Sequence, residues 1–261
     1  GSLKVITLNM NYIIQKKVDL KKKVQDVHKY LIAFRMLMQD MEKAKLFPAY
    51  DEGYIAIDKQ YITVGINGMV EAAEYLGYEI TNNEPYKDWV KSTFKTISDE
   101  NKVGASYYSK FLGRPVMINS ELIPAEGVGV KFAKWGKKAG LKANRDCYNS
   151  YLYRSEDSTI DLFDKFALHG GDVLDYLAGG SAVHLALREI PSKGTWKKII
   201  LQAIKYGSSY WTANVKSTCC NKCGYIDMNT RDSCVKCGST DIDYASRIIG
   251  YLKKISSFSK E

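Results

Sequence analysis

Branched apolar residues alternate along Leu3-Lys-Val-Ile-Thr-Leu-Asn-Met10, the two-residue period of a strand. The period then lengthens. From about Val18 to Leu46, the residues Val24, Val27, Leu31, Phe34, Leu37, Met38 and Met41 recur at spacings of three and four. That spacing predicts a long helix with one buried face. Lys16, Lys17, Lys21, Lys22 and Lys23 open it and read as a solvated helix face, and Phe47-Pro48 ends it. A short β-branched strand follows at Tyr61–Val64, then Gly65-Ile-Asn-Gly68, then a helix over Met69–Leu76 closed by Gly77. A polar helix from about Pro85 to Phe111 leads to a strand at Pro115–Asn119, and another strand is expected at Tyr148–Tyr153. Beyond Asp161–Leu168 and the turn Gly179-Gly180-Ser181, the pattern predicts a strand at Ala182–Leu187, a helix at Thr195–Tyr206 and a strand at Tyr210–Val215. Strands alternating with helices in this way argue an α/β domain with mostly parallel strands.

Composition narrows the class. The chain has 261 residues, 45% hydrophobic and 26% charged, enough for one large domain or two modest ones with a real core. The net charge of +9 makes a polyanionic partner plausible without identifying one. No apolar run approaches the roughly 18 residues that span a bilayer, and no signal-peptide pattern opens the chain. The expectation is a soluble, cytoplasmic protein without a membrane partner.

Near Ser217 the pattern changes to a small, loop-rich module. Cys220 and Cys223 form one C-x-x-C, Cys234 and Cys237 a second, and Gly224 and Gly238 follow them. Two residues between thiolates let a tight turn aim both sulfurs at one centre, and four sulfurs fit a tetrahedral zinc. Such a site is structural, because no coordination position remains for water. Spacing alone also admits an iron–sulfur cluster, two local disulfides or free thiols. Cys219 is a spare that could swap into the site. His169 and His184 have no second ligand at metal spacing and read as core or loop histidines. Asn67, between Gly65 and Gly68, is either a ligand donor at a strand's carboxyl end or a helix N-cap.

On pattern alone, Asp243–Leu252 is a strand interrupted by Gly250. However, Arg247-Ile-Ile-Gly250-Tyr251-Leu252 behind a four-cysteine module resembles the C-terminus of the anaerobic (class III) ribonucleoside-triphosphate reductases. In that family the glycine of such a segment carries a stable radical. Similar stretches run in the family's order: Val5–Met10, Gly65–Glu74, Ile123–Glu126 with Gly129–Lys131 and Ala133–Trp135, Arg145–Tyr151, Gly179–His184, and Tyr210–Asn214. The chain departs from the family pattern in the expected loop Trp135–Ala139, at the alanines near Ser181 and His184, and at Tyr12, where arginine is common.

The resemblance implies the second half of a ten-stranded glycyl-radical-enzyme α/β barrel plus a zinc-ribbon-like module. The expected divisions are 1–216 for the half-barrel, 217–240 for the zinc module, and 241–261 for the glycyl-radical loop and tail. It implies a radical at Gly250 and a structural zinc on Cys220, Cys223, Cys234 and Cys237, with Asn9 as a substrate contact or a turn residue. Glycine suits a radical because its Cα can flatten without steric penalty and another molecule can approach closely. The implied partners are a radical-SAM activase, ribonucleoside triphosphates, and an N-terminal half carrying the finger-loop cysteine, in a dimeric assembly with formate or a thiol protein as reductant. Cys147 does not match the finger-loop position and is expected to be a buried structural thiol. The alternatives are a zinc-ribbon nucleic-acid-binding or adaptor protein, or a spare glycyl-radical subunit. Against nucleic-acid binding, the ribbon sets only Lys222, Arg231 and Lys236 against Asp227 and Asp232, and it has no aromatic row.

Overall fold

The computed structural model describes every residue except Asn144, Glu156, Ser158, Arg188, Ile249, Gly250 and 258–261; the side chains of Glu126, Arg247, Ile248, Tyr251, Leu252, Lys253 and Ser257 are also outside it. Strand β1 (Ser2–Asn9) runs straight into α1 (Met10–Gln15), because Asn9 Oδ1 accepts the Tyr12 N–H at 3.1 Å and caps the turn. Asp19 caps α2 (Leu20–Lys43) in the same way. Pro48, expected to stop a helix, instead opens the short α3 (Pro48–Asp51), since an N1 proline lacks only an N–H that would go unused. Next come β2 (Tyr61–Asn67), α4 (Met69–Leu76), α5 (Glu84–Leu112), β3 (Met117–Leu122) and α6 (Glu126–Lys138). Helices α7 (Leu162–Leu168) and α8 (Gly171–Leu174) precede β4 (Val183–Leu187), α9 (Lys193–Tyr206) and β5 (Trp211–Val215).

Strands β1, β2 and β3 pair in parallel and in chain order, with Thr7 opposite Gly65 and Gly65 opposite Glu121. Strands β4 and β5 also pair in parallel. A single parallel bridge, Glu121 to Gly180, continues the row from β3 towards β4. Gly179 makes this approach possible: a Cβ there would lie 2.8 Å from the Ser120 carbonyl, which its own N–H bonds at 2.8 Å. The sequential order distinguishes the row from a doubly wound sheet, where strand order reverses.

One face of the row is apolar and covered by helices. Ile62, Val64 and Ile66 share a buried cluster with Val24, Val27 and Leu31 of α2 and Phe94 and Ile97 of α5. Val183 and Leu185 pack with Phe166 of α7 and Ile199 and Ala203 of α9. The period of two puts polar residues on the other face. There Thr63 Oγ1 donates to Asn119 Oδ1 at 2.7 Å, and Glu121, His184 and Thr212 border one cavity.

Three sequence expectations are corrected. Tyr148–Tyr153 is irregular rather than a strand. Its tyrosines favour a strand, but its backbone bonds elsewhere: Asn149 N–H to Glu71, Asn149 C=O to Gly68, Leu152 N–H to His169. The expected loop at Trp135–Ala139 is the end of α6, a helix hidden by glycines. Tyr148 needs those glycines, since a Cβ at Gly129 or Gly136 would meet it at 2.6 or 2.1 Å. Cys147 is half-buried in a loop, not a buried strand thiol.

The remainder is one antiparallel sheet. Strands β6 (Ser217–Cys220), β7 (Ile226–Asp227), β8 (Ile242–Ile248) and β9 (Tyr251–Lys254) lie in the order β7-β6-β8-β9. Thus the segment after the second C-x-x-C pairs back onto the strand that carries Cys220, with Cys220 opposite Ile242.

Candidate functional site

The four cysteines of the two C-x-x-C turns converge. Their Sγ atoms all lie within 4.8 Å of one another. Cys220 and Cys237, like Cys223 and Cys234, are 3.6 Å apart, too far for a disulfide. A tetrahedron with bonds of about 2.3 Å has edges of about 3.8 Å, so these spacings suit one central metal ion. Left to themselves, the thiols titrate unevenly. Burial opposes ionisation of Cys234, but N–H groups of Cys237 and Lys236 and the neighbouring thiols outweigh it and lower it to about 7. Ser239 N–H favours the Cys237 thiolate, yet burial and three thiol neighbours push it up to about 12. Four thiolates cannot coexist there without a cation, and the donor set therefore fits a metal. Cys219 is buried on the same strand, next to Cys220 but outside the cluster.

A second concentration of chemistry lies on the polar face between β3 and β4. A cavity of about 370 Å³ is bordered by Glu121, Ser181, His184, Tyr210 and Thr212 together with Gly179 and Gly180. Burial alone raises the Glu121 carboxyl. His169, fully buried behind Ser181, accepts the Leu152 N–H on Nε2 at 3.0 Å and meets Ser181 Oγ through Nδ1. Burial drives its pKa down to about 3, so the imidazole is neutral near neutral pH.

The carboxyl ends of β1 and β2 are shaped by a charged cluster on α4. Glu71 Oε1 accepts the backbone and side-chain N–H groups of Asn149 at 2.9 and 2.8 Å, and burial raises its pKa against those donors. Glu74 takes a two-pronged contact from Arg145 and a 2.6 Å bond from Arg154 Nε. Burial opposes its ionisation, but the two guanidinium groups hold it below the usual carboxylate range. Gly68 is the N-cap of α4, at φ 79°, so Asn67 is not; its Nδ2 donates to Ser150 Oγ at 3.1 Å.

The sequence candidates thus have different fates. The metal-competent cysteines come together. Asn9 uses its carboxamide oxygen to cap α1 and borders a separate cavity of about 380 Å³ with Ile6, Leu8, Phe132 and Trp135. Gly250 lies outside the described residues. His169 is a core histidine, as expected. The Glu71, Glu74 and Ser181 arrangements were not foreseen, although Glu71 and Glu74 interrupt an otherwise apolar helix, which is a readable signal. Among the described residues, no helix is long and apolar enough to cross a membrane.

Comparison with known proteins places this architecture. An anaerobic ribonucleotide reductase superposes with a TM-score of 0.87 at 25% identity, covering 100% of this chain and 43% of that one. The Thermotoga maritima enzyme with glycerol in its active site gives 0.86 at 25% identity, over 100% of this chain and 43% of its own. The same organism's enzyme in complex with dATP and CTP gives 0.85 at 24% identity, over 98% and 43%. No curated protein matches. The fold is therefore that of an anaerobic ribonucleotide reductase, of which this chain spans less than half the length. The family model for anaerobic ribonucleoside-triphosphate reductase matches residues 1–261, and the chain belongs to that family.

Proposed function

We propose that this chain is the C-terminal, glycyl-radical-bearing part of an oxygen-sensitive reductase that converts ribonucleoside triphosphates to deoxyribonucleotides. What carries the reading is a polar strand face within a fold shared, over the whole chain, with anaerobic ribonucleotide reductases. In the assembled enzyme the row of strands forms the second half of a ten-stranded barrel. An N-terminal half supplies the remaining strands and the finger-loop cysteine, in a dimer. A radical-SAM activase removes a hydrogen atom from Gly250. The glycyl radical then oxidises the finger-loop thiol, whose thiyl radical takes the 3′-hydrogen of the ribose. The 2′-hydroxyl leaves as water, and formate or a thiol protein supplies the two electrons.

The chain's own residues have distinct tasks in this scheme. Cys220, Cys223, Cys234 and Cys237 hold a structural zinc that mounts the segment leading to Gly250. Asn9 offers its carboxamide NH₂ to substrate, its oxygen being occupied by the cap. Residues 1–216 form the half-barrel, 217–240 the zinc module, and 241–261 the radical loop and tail.

The test is anaerobic paramagnetic resonance on the chain mixed with its activase, S-adenosylmethionine and the rest of the reductase. A glycyl doublet is expected, with oxygen-induced scission at Gly250, and both vanish in Gly250→Ala. Absence of doublet and scission in the wild-type mixture overturns the proposal.

A further inference from the structure

Ser181 stands where two constructions meet. It follows directly on Gly179-Gly180, the link from β3 towards β4, and it borders the 370 Å³ cavity on the polar face. Behind it, the hydrogen-bond directions are determined. The Leu152 backbone can only donate, so His169 Nε2 must accept and the ring's hydrogen sits on Nδ1. Nδ1–H therefore donates to Ser181 Oγ. Because the imidazole stays neutral down to about pH 3, this arrangement persists across ordinary pH. A hydroxyl that accepts a hydrogen bond in this way keeps its own hydrogen for another acceptor. The ring is further held by Tyr153, edge-on at 5.3 Å between centroids.

Glu121 borders the same cavity, its backbone bridged to Gly180. No lysine or arginine lines that cavity among the described residues, so a phosphate would meet the carboxylate without compensation. A hydroxyl group, by contrast, both accepts and donates. It matches an O–H donor and a carboxylate acceptor that border one cavity.

We propose that Ser181, oriented by His169, binds a sugar hydroxyl of the ribonucleotide, donating to its oxygen while Glu121 accepts its hydrogen. Ser181 is then a substrate-binding residue and His169 a positioning residue. The inference rests on the reductase reading above.

The experiment is anaerobic equilibrium binding to the assembled reductase, using the four ribonucleoside triphosphates and their 2′,3′-dideoxy counterparts. Ser181→Ala should weaken the best-bound ribonucleotide about tenfold, the loss of one hydrogen bond, and leave its dideoxy counterpart unchanged. His169→Gln should behave like Ser181→Ala, because its amide oxygen can accept the Leu152 N–H but nothing replaces Nδ1–H. His169→Asn, whose amide N–H lies near the Nδ1 position, should recover most of the affinity. Thermal melting separates these effects from loss of fold, and Ser181→Ala decides the matter if the histidine variants do not fold. Equal weakening of both nucleotide types, or of neither, overturns the inference while leaving the reductase reading intact. A wild-type assembly that binds no ribonucleotide overturns that reading, and the inference with it.

Discussion

His169 shows how a single buried group links packing to pH. Unfolded, its imidazole takes a proton near pH 6.5; folded, burial delays that step to about pH 3. Above about pH 6.5 both states are neutral and the group is silent. As pH falls below that value the unfolded state binds the proton and the folded state does not, so stability is lost progressively towards pH 3. The expected slope is up to about 1.4 kcal/mol per pH unit. Glu71, whose carboxyl burial raises, works in the opposite direction over part of the same range. The measurement is therefore urea unfolding of wild type against His169→Asn at pH 7, 6 and 5, the difference shrinking steadily as the pH falls. A constant difference would mean that His169 is solvated. The partners of His169 were not legible along the chain. The pattern reads His169 as a core or loop histidine; only the fold brings Leu152 and Ser181, both distant in sequence, to its two nitrogens.

Elements were more legible than single partners, where burial on one face set their period. The helix α4 ends where Gly77 predicts, and α9 and β5 lie within two residues of their expected bounds. The failures have a common cause. Tyr148–Tyr153 reads as a strand because tyrosine favours one, yet its backbone is bonded by side chains of other elements. The cysteine module is the opposite case, since C-x-x-C spacing alone brings four sulfurs together. Among the described residues its buried apolar contribution is small, with Cys219, Cys220, Cys234 and Ala245 the deepest members. A module with so little core is expected to depend on a metal held by the four cysteines. Chelation, or Cys234→Ser, is expected to release the amides of β6 and β7 to fast hydrogen exchange while β1 to β3 remain protected. The same metal-free protein should fail to acquire the glycyl doublet. Slow exchange at β6 without metal would show that the sheet stands by itself.

At the scale of the whole molecule, the row of parallel strands has unfinished edges. Among the described residues β1 pairs only with β2, and β5 is the last of its pair. Open parallel edges expose unpaired N–H and C=O groups and invite further strands. The amides of β1 that do not bond to β2 are therefore expected to exchange rapidly in the isolated chain. They should become protected when the remainder of the reductase is added, as followed by hydrogen-exchange mass spectrometry. Unchanged exchange on addition would argue against a barrel closed across that edge.

Read alone, the sequence determined the α/β class, the parallel character, the metal-competent cysteines and the family. The first three follow from local periods and spacings, which are written in neighbouring residues, and the family from the resemblance of several short stretches in a fixed order. Tertiary structure alone decided which face of the strands is polar, where the cavity lies, and which groups hydrogen-bond to the buried acids and histidines. Those outcomes depend on burial and on contacts between residues far apart in the chain, and so become definite only when the backbone has closed around them.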